Sequence, residues 1–280
     1  MKTIQVTILF AAAVLTFAGC KQSNSNQQPI QGITQGGVGD GSATTGDDGV
    51  VTASDGTDAP GSAPQLQAIV SGDSCRYGDH VYTMVGTFTA EKYNRSATGT
   101  VTFTNVPADY QEFEAVYTNF LGKTPHGTAA MMPMAMEMYG RDADEGLRCL
   151  QLINYPSNVN SVVSQLKQKF VPSQHAPAND PYIQRYLPAA VLRGATPDNA
   201  YEPSYPYTVD MKASVNAHQE LQISGSGRVM YIYVMGNGWD TRQRSVEVIL
   251  QTGAKLHQVF NCPALYTQCK NIHGQWQGLK

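Results

Sequence analysis

Alternating apolar and polar positions mark two stretches of the chain as β structure, and a helical period marks the stretch between them. From His80 to Thr104 the residues are β-branched and aromatic: Val81, Tyr82, Val85 and Phe88 come first, then a turn-forming run from Glu91 to Ser96, then Val101 and Phe103 alternating with threonines. This pattern predicts a β-hairpin. From Pro107 the period changes. Asp109 is placed to cap a helix carrying Tyr110, Phe113, Tyr117, Phe120 and Leu121 at helical spacing, with Gly122 ending it. Three more helices are expected: Gly127 to Tyr139 with a stop at Gly140, Gly146 to Ile153 with a stop at Tyr155-Pro156, and Val159 to Phe170 with Pro172 closing it. Val162, Val163, Leu166 and Phe170 form the apolar stripe of the last.

Between Pro172 and Pro206 the prolines at 172, 177, 181, 188, 197, 203 and 206 exclude regular helix beyond short turns. A connection this long is either functional or an ordered crossover packed on the core by Tyr182, Tyr186, Leu187, Tyr201 and Tyr205. The β pattern returns at Tyr207 and alternates to Val215. Arg228 to Met235 is apolar on both faces, which suits a central strand covered on both sides. After the Gly236-Asn237-Gly238 turn signal, Ser245 to Leu250 and Lys255 to Phe260 complete an antiparallel meander. The expected class is α+β: a helical block followed by an antiparallel β-sheet, with an N-terminal β-hairpin.

The first residues have a different character. Lys2 precedes an apolar run from Val6 to Ala18, too short for a ~20-residue membrane span and suited to a signal-peptide core. Leu15-Thr-Phe-Ala-Gly-Cys20 reads as a lipoprotein processing site, so residues 1–19 are expected to be removed and Cys20 to carry the lipid. A secreted protein cut elsewhere is the plainer alternative. Residues 20–64 read as the lipidated cysteine and a Gly/Ser/Asp-rich tether without aromatic residues, too polar to fold. Such a tether spans roughly 35–40 Å on average. Residues 65–280 are expected to form a single globular domain.

Charge narrows the partners. Asp40, Asp47, Asp48, Asp55 and Asp58 against Lys21 leave the tether at −4; with Lys2 at +1, the formal total of −3 makes the remainder neutral. A neutral body has no electrostatic footprint for nucleic acid and no polybasic surface for lipid headgroups. The tether aspartates lack metal-loop spacing and read as a solvated linker.

No catalytic motif stands out. Cys75, Cys149, Cys262 and Cys269 remain after the anchor, and the short loop between Cys262 and Cys269 predicts a disulfide in an oxidising compartment. Met131, Met132, Met134, Met136 and Met138 invite a copper site, but helical geometry splits them between two faces and favours core packing, with Pro133 in the first turns of the helix. The six histidines, His80, His126, His175, His218, His257 and His273, have no ligand spacing. Asp142-Ala-Asp-Glu-Gly146 reads as a charged turn between helices, and Asp240 with Arg242 as a local pair holding a loop. No metal or cofactor is implied.

Tyr186-Leu-Pro188, Arg193-Gly-Ala-Thr-Pro-Asp-Asn-Ala-Tyr-Glu-Pro203, Tyr207-Thr-Val-Asp and Met235-Gly-Asn-Gly-Trp-Asp-Thr-Arg242 together resemble a family of bacterial extracytoplasmic proteins, the domain of unknown function 6935. The resemblance covers about 107–269. The family pairs a Gly-Ala-Thr-Pro-x-Asn-x-Tyr loop with a later Asp-x-x-Arg element, here one residue shorter. It implies aliphatic residues in place of the methionines and no assigned activity. The leader and tether are similar to those of Bacteroides-type lipoproteins, which implies anchoring in the cell envelope, at the outer membrane facing the periplasm or exposed at the surface.

The expected function is a lipid-anchored, non-enzymatic binding or interaction module. Its binding surface is expected on the tyrosine-rich connection, at Arg193, Asn199, Tyr201 and Tyr205 with Asp240 and Arg242, facing a protein or glycan ligand. An envelope hydrolase using His126 or His175 with a nearby acid is the alternative, and a structural envelope component is a third reading.

Overall fold

The computed structural model describes residues 66–89, 94–214, 220–223 and 227–280. The leader, Cys20, the tether and the first residues of the hairpin turn lie outside them. One compact unit spans Pro60–Lys280.

Among the described residues, nine strands pair antiparallel in one sheet: β1 (Ile69–Ser71), β2 (Ser74–Tyr77), β3 (His80–Gly86), β4 (Thr98–Phe103), β5 (Tyr207–Ala213), β6 (Glu220–Ile223), β7 (Gly227–Met235), β8 (Gln243–Leu250) and β9 (His257–Asn261). Their order is β1-β2-β3-β4-β5-β7-β8-β9, with β6 also running along β7. The α+β class holds. The predicted hairpin is β3 with β4, and it is no appendage. β4 pairs with β5 from Thr98 opposite Lys212 to Phe103 opposite Tyr207, so the segments before and after the helices share one sheet.

Period-two alternation sorts the strand residues. Tyr82, Val101, Phe103, Val209, Met211, Ile232, Val234, Val246, Val248 and Val259 are buried on the helix-covered face. On the other face, Thr100 bonds Asp210 and Thr102 bonds Thr208 across β4 and β5, while Tyr231 and Tyr233 are half-buried. This corrects the expectation that Arg228 to Met235 is covered on both sides. β7 is central, but its tyrosines carry polar tips that tolerate a partly open face.

Four helices cover the inner face: α1 (Tyr110–Asn119), α2 (Pro125–Arg141), α3 (Ala143–Ile153) and α4 (Val159–Phe170). Asp109 caps α1 by accepting from the Glu112 N–H at 2.9 Å. Thr124 caps α2 by accepting from the Gly127 N–H, with Pro125 as its first residue. α2 lies on β4, β7, β8 and β9, and its methionines at 131, 132, 134, 136 and 138 are all buried. Their unbranched chains fill the space between the sheet and the outer helices. Several limits differ from expectation: α2 begins at Pro125 and α3 at Ala143, so 143–146 is helix where a charged turn was expected. Pro133 lies in the interior of α2, and Gly140 does not stop it. The helix runs to Arg141, where Asp142 ends it and at once caps α3 by accepting from the Asp144 and Glu145 N–H groups.

Cys262 and Cys269 are the pair expected to bridge. Cys262 and Cys269 are buried, free thiols. Cys262 precedes the short turn Pro263–Tyr266, and the Cys269 sulfur faces Gln184 Oε1 at 3.5 Å, so the two are held by different neighbours. Among the described residues, no helix is long and apolar enough to cross a membrane.

Candidate functional site

The connection from Pro172 to Pro206 is an ordered crossover whose two ends reach the surface. Its middle is core: Tyr186, Leu187 and Val191 are buried, and Tyr186 stacks on Tyr201 with ring centroids 5.2 Å apart. Leu192 bridges to Val209, which lays the connection beside β5. Short turns at Ala189–Val191 and Pro197–Asn199 take up the prolines.

The far end forms one wall of a cleft of about 370 Å³. Tyr205 is 67% exposed there. Three rings run outward from the core to hold it: Phe103 meets Tyr207 edge-on at 5.5 Å, and Tyr207 meets Tyr205 edge-on at 6.0 Å. Such a chain of rings fixes the exposed one at low entropic cost. The opposite wall is the irregular segment from Gln275 to Lys280, carrying Trp276 and Gln277. That segment is tied down by Val106 N–H to Lys280 O at 2.9 Å, Lys280 N–H to Tyr207 Oη at 2.9 Å and Arg141 Nη2 to Leu279 O at 3.2 Å.

The near end walls a larger groove of about 730 Å³, between the exposed side of α4 and the loop after it. Lys167 and Gln168 line it from α4; Val171, Pro172, Ser173, His175, Asp180 and Tyr182 line it from the loop.

The expected site residues divide. Tyr205 lies in the cleft as an exposed ring. Asn199 lines the same cleft, but its side chain is committed to the backbone. It accepts from the Thr196 N–H and donates to the carbonyls of Gly194 and Glu202, at 2.8–2.9 Å. Tyr201 is 0% exposed, which removes it from any surface; its hydroxyl donates to Lys270 O at 2.9 Å. Arg193 lies elsewhere, on the open face of the sheet, forked onto Asp210 at 2.8 and 2.5 Å. That fork, helped by Thr100 and the charge of Arg242, holds the Asp210 carboxyl below its usual range. Asp240 pairs with Lys270 at 2.7 Å, where the sequence suggested Arg242. The looping chain brings Lys270 in through Lys270 N–H to Gly238 O.

The two histidines named for hydrolysis do not converge. His126 is buried in the first turn of α2, stacked on Phe88 at 5.3 Å, and its Nδ1 has no hydrogen-bond partner. Burial, with His257 nearby, pushes it down to about 4. The unfolded chain therefore takes up this proton below about pH 6.5, and the folded one resists until about pH 4. Stability should fall by on the order of 2–3 kcal/mol as the pH drops through that window, then level off. Melting temperatures from pH 7.5 to 4 would show the slope, and His126→Leu should flatten it. An unchanged slope in the variant assigns the effect elsewhere.

His175 is exposed in the groove beside Ser173 and Asp180, the residue types of a hydrolytic triad. Both neighbours are occupied in turns: Ser173 Oγ accepts from the Ala176 N–H at 3.2 Å and Asp180 Oδ1 from the Tyr182 N–H at 2.7 Å. Among the described residues, no three His, Cys, Asp or Glu side chains group as metal ligands.

Sequence reasoning missed the second wall of the cleft, because Gln275 to Lys280 has no periodicity to read. It also missed Glu112, which α1 buries against β3; Asp109 was readable as a helix cap, but nothing local marks Glu112 as interior.

A family model described as Domain of unknown function (DUF6935) matches residues 105–273. No curated protein and no solved structure matches the chain. The matched stretch includes the helices, the connection and β5 to β9; β1 to β4 and the cleft wall from Gln275 onward lie outside it.

Proposed function

This chain belongs to the DUF6935 family, and on that premise we propose that it is a non-enzymatic binding module whose recognition surface is the Pro172–Pro206 connection. The observation that carries the reading is that two concave sites among the described residues, the groove at Tyr182 and the cleft at Tyr205, use this one connection as a wall, whereas a third of about 350 Å³, between residues 238–240 and 268–271, does not. Exposed aromatic rings at the mouths of such sites suit ligand capture. Ser173, Asp180 and Asn199 beside them serve as turn and capping groups, which favours binding over catalysis. We further propose that the module is held at the envelope membrane through acylated Cys20, on the strength of the Leu15–Cys20 motif; the mass of the N-terminal peptide checks this.

A ligand-observed NMR fragment screen on the Pro60–Lys280 unit tests the surface. Fragments should bind at one or both concavities and be lost, by tenfold or more in affinity, in Tyr182→Ala or Tyr205→Ala. Hits indifferent to both substitutions would place recognition elsewhere.

A further inference from the structure

The α4 groove lies beside a lysine whose charged end rests on an aromatic ring. Lys169, near the end of α4, is 3% exposed. Its ammonium lies 3.4 Å from the centre of the Tyr182 ring. The contact described for its charged end is that ring. Cys269 lies near enough to feel the charge, but burial pushes its thiol up to about 12, so it supplies no anion at neutral pH. The stem of Lys169 is buried, and the ring of Tyr182 takes its charged end.

Tyr182 separates this cation from the groove. Its ring is partly exposed and lines the groove, whereas Lys169 does not. A cation against one face of an aromatic ring is held by the π density of that ring. The same positive charge makes the groove side of Tyr182 poor ground for a second cation and good ground for an anion or an electron-rich ring. Lys167 adds a second positive charge on the groove wall itself. Asp180 opposes it, but one of its oxygens is already bonded to the Tyr182 N–H. Val171 and Pro172 supply apolar surface alongside. The volume, about 730 Å³, is that of a site for a small organic molecule rather than an inorganic ion.

We infer that the α4 groove binds small planar organic anions, with the ring system against Tyr182 and Val171 and the acidic group toward Lys167 in the field of Lys169. This rests on the reading of the connection as a recognition surface and names the ligand class for one of its two ends. Lys169 acts through the ring, as a positioning charge.

Two dyes of nearly the same shape test it on the Pro60–Lys280 unit, which holds the whole core described above. 8-Anilinonaphthalene-1-sulfonate carries the acid; N-phenyl-1-naphthylamine has the same rings without it. The sulfonate should bind one per protein and at least tenfold more tightly than the neutral dye. Lys169→Met keeps the length and apolar stem, so the fold should survive, as near-UV circular dichroism would register. It should weaken the sulfonate about tenfold and leave the neutral dye within twofold. Tyr182→Ala should weaken both dyes. Equal affinity for the two dyes, or a Lys169→Met protein that binds the sulfonate as before, overturns the assignment of the ligand class. In that case neutral binding lost in Tyr182→Ala would still uphold the wider recognition reading. Failure of both dyes to bind overturns the inference outright, and a fragment screen silent at both Tyr182 and Tyr205 would be the separate failure of the wider reading.

Discussion

Replacing Glu112 with alanine should cost about 3–5 kcal/mol of stability, near the upper end for a single substitution. The carboxylate is 2% exposed and serves three donors at once: His80 Nδ1, Tyr82 Oη and the Ala108 N–H, each at 2.7 Å. These come from β3 and from the segment leading into α1, so one side chain fastens the sheet to the first helix. Burial and the Glu112 charge both push the Tyr82 hydroxyl well above the usual phenol range, so it stays protonated and needs an acceptor. Alanine leaves buried donors without partners, each costing about 1–3 kcal/mol. For a domain of this size the melting temperature should drop by roughly 6–20 °C. Glu112→Gln keeps an acceptor oxygen but turns an amide NH₂ toward donors, so it should fall between the two. Chemical denaturation of the three proteins checks the order; a loss under about 1 kcal/mol for alanine would mean that water replaces the carboxylate.

The second large effect has the opposite sign from what helix propensity suggests. Gly146 lies in the first turn of α3, where alanine would ordinarily gain about 1 kcal/mol. Here a Cβ would stand 2.0 Å from Tyr139 Cα and 2.2 Å from its backbone nitrogen. Those atoms belong to the backbone of α2 and cannot turn aside as a side chain would. Gly146→Ala should therefore destabilise by at least about 3 kcal/mol, because the two helices must part along their contact. A variant as stable as the parent would mean that α2 and α3 pack less closely than described.

Both effects concern groups whose roles the sequence conveys only in part. The four helices and the longer strands were legible because period and capping are local: Asp109 starts α1, and Val159 to Phe170 is α4 to the residue, whereas the short β1, β2 and β6 carry too few residues to show a period. The shared sheet was not legible, since β4 and β5 are separated by more than a hundred residues. Within the connection, composition identified a tyrosine-rich surface but could not say which tyrosines turn inward. Tyr201 and Tyr205 are four residues apart, and one is fully buried while the other is largely exposed. An irregular segment has no period from which to read a face. Lys169 shows the same limit on a regular helix. It flanks the predicted stripe of Val162, Leu166 and Phe170, and it becomes interior because the connection returns over it, with Gln184 N–H bonded to Lys169 O at 2.8 Å.

The claim on which the functional account rests is that ligands meet this chain along the Pro172–Pro206 connection. Backbone amide chemical shifts of the isotope-labelled Pro60–Lys280 unit, recorded against a fragment library, test it most directly. The account predicts that perturbed amides cluster at 171–182 around the groove, at 199–207 and 275–280 around the cleft, or at both. Perturbations confined to the open sheet face around Arg193 and Asp210, or to the β1–β3 edge, would contradict it.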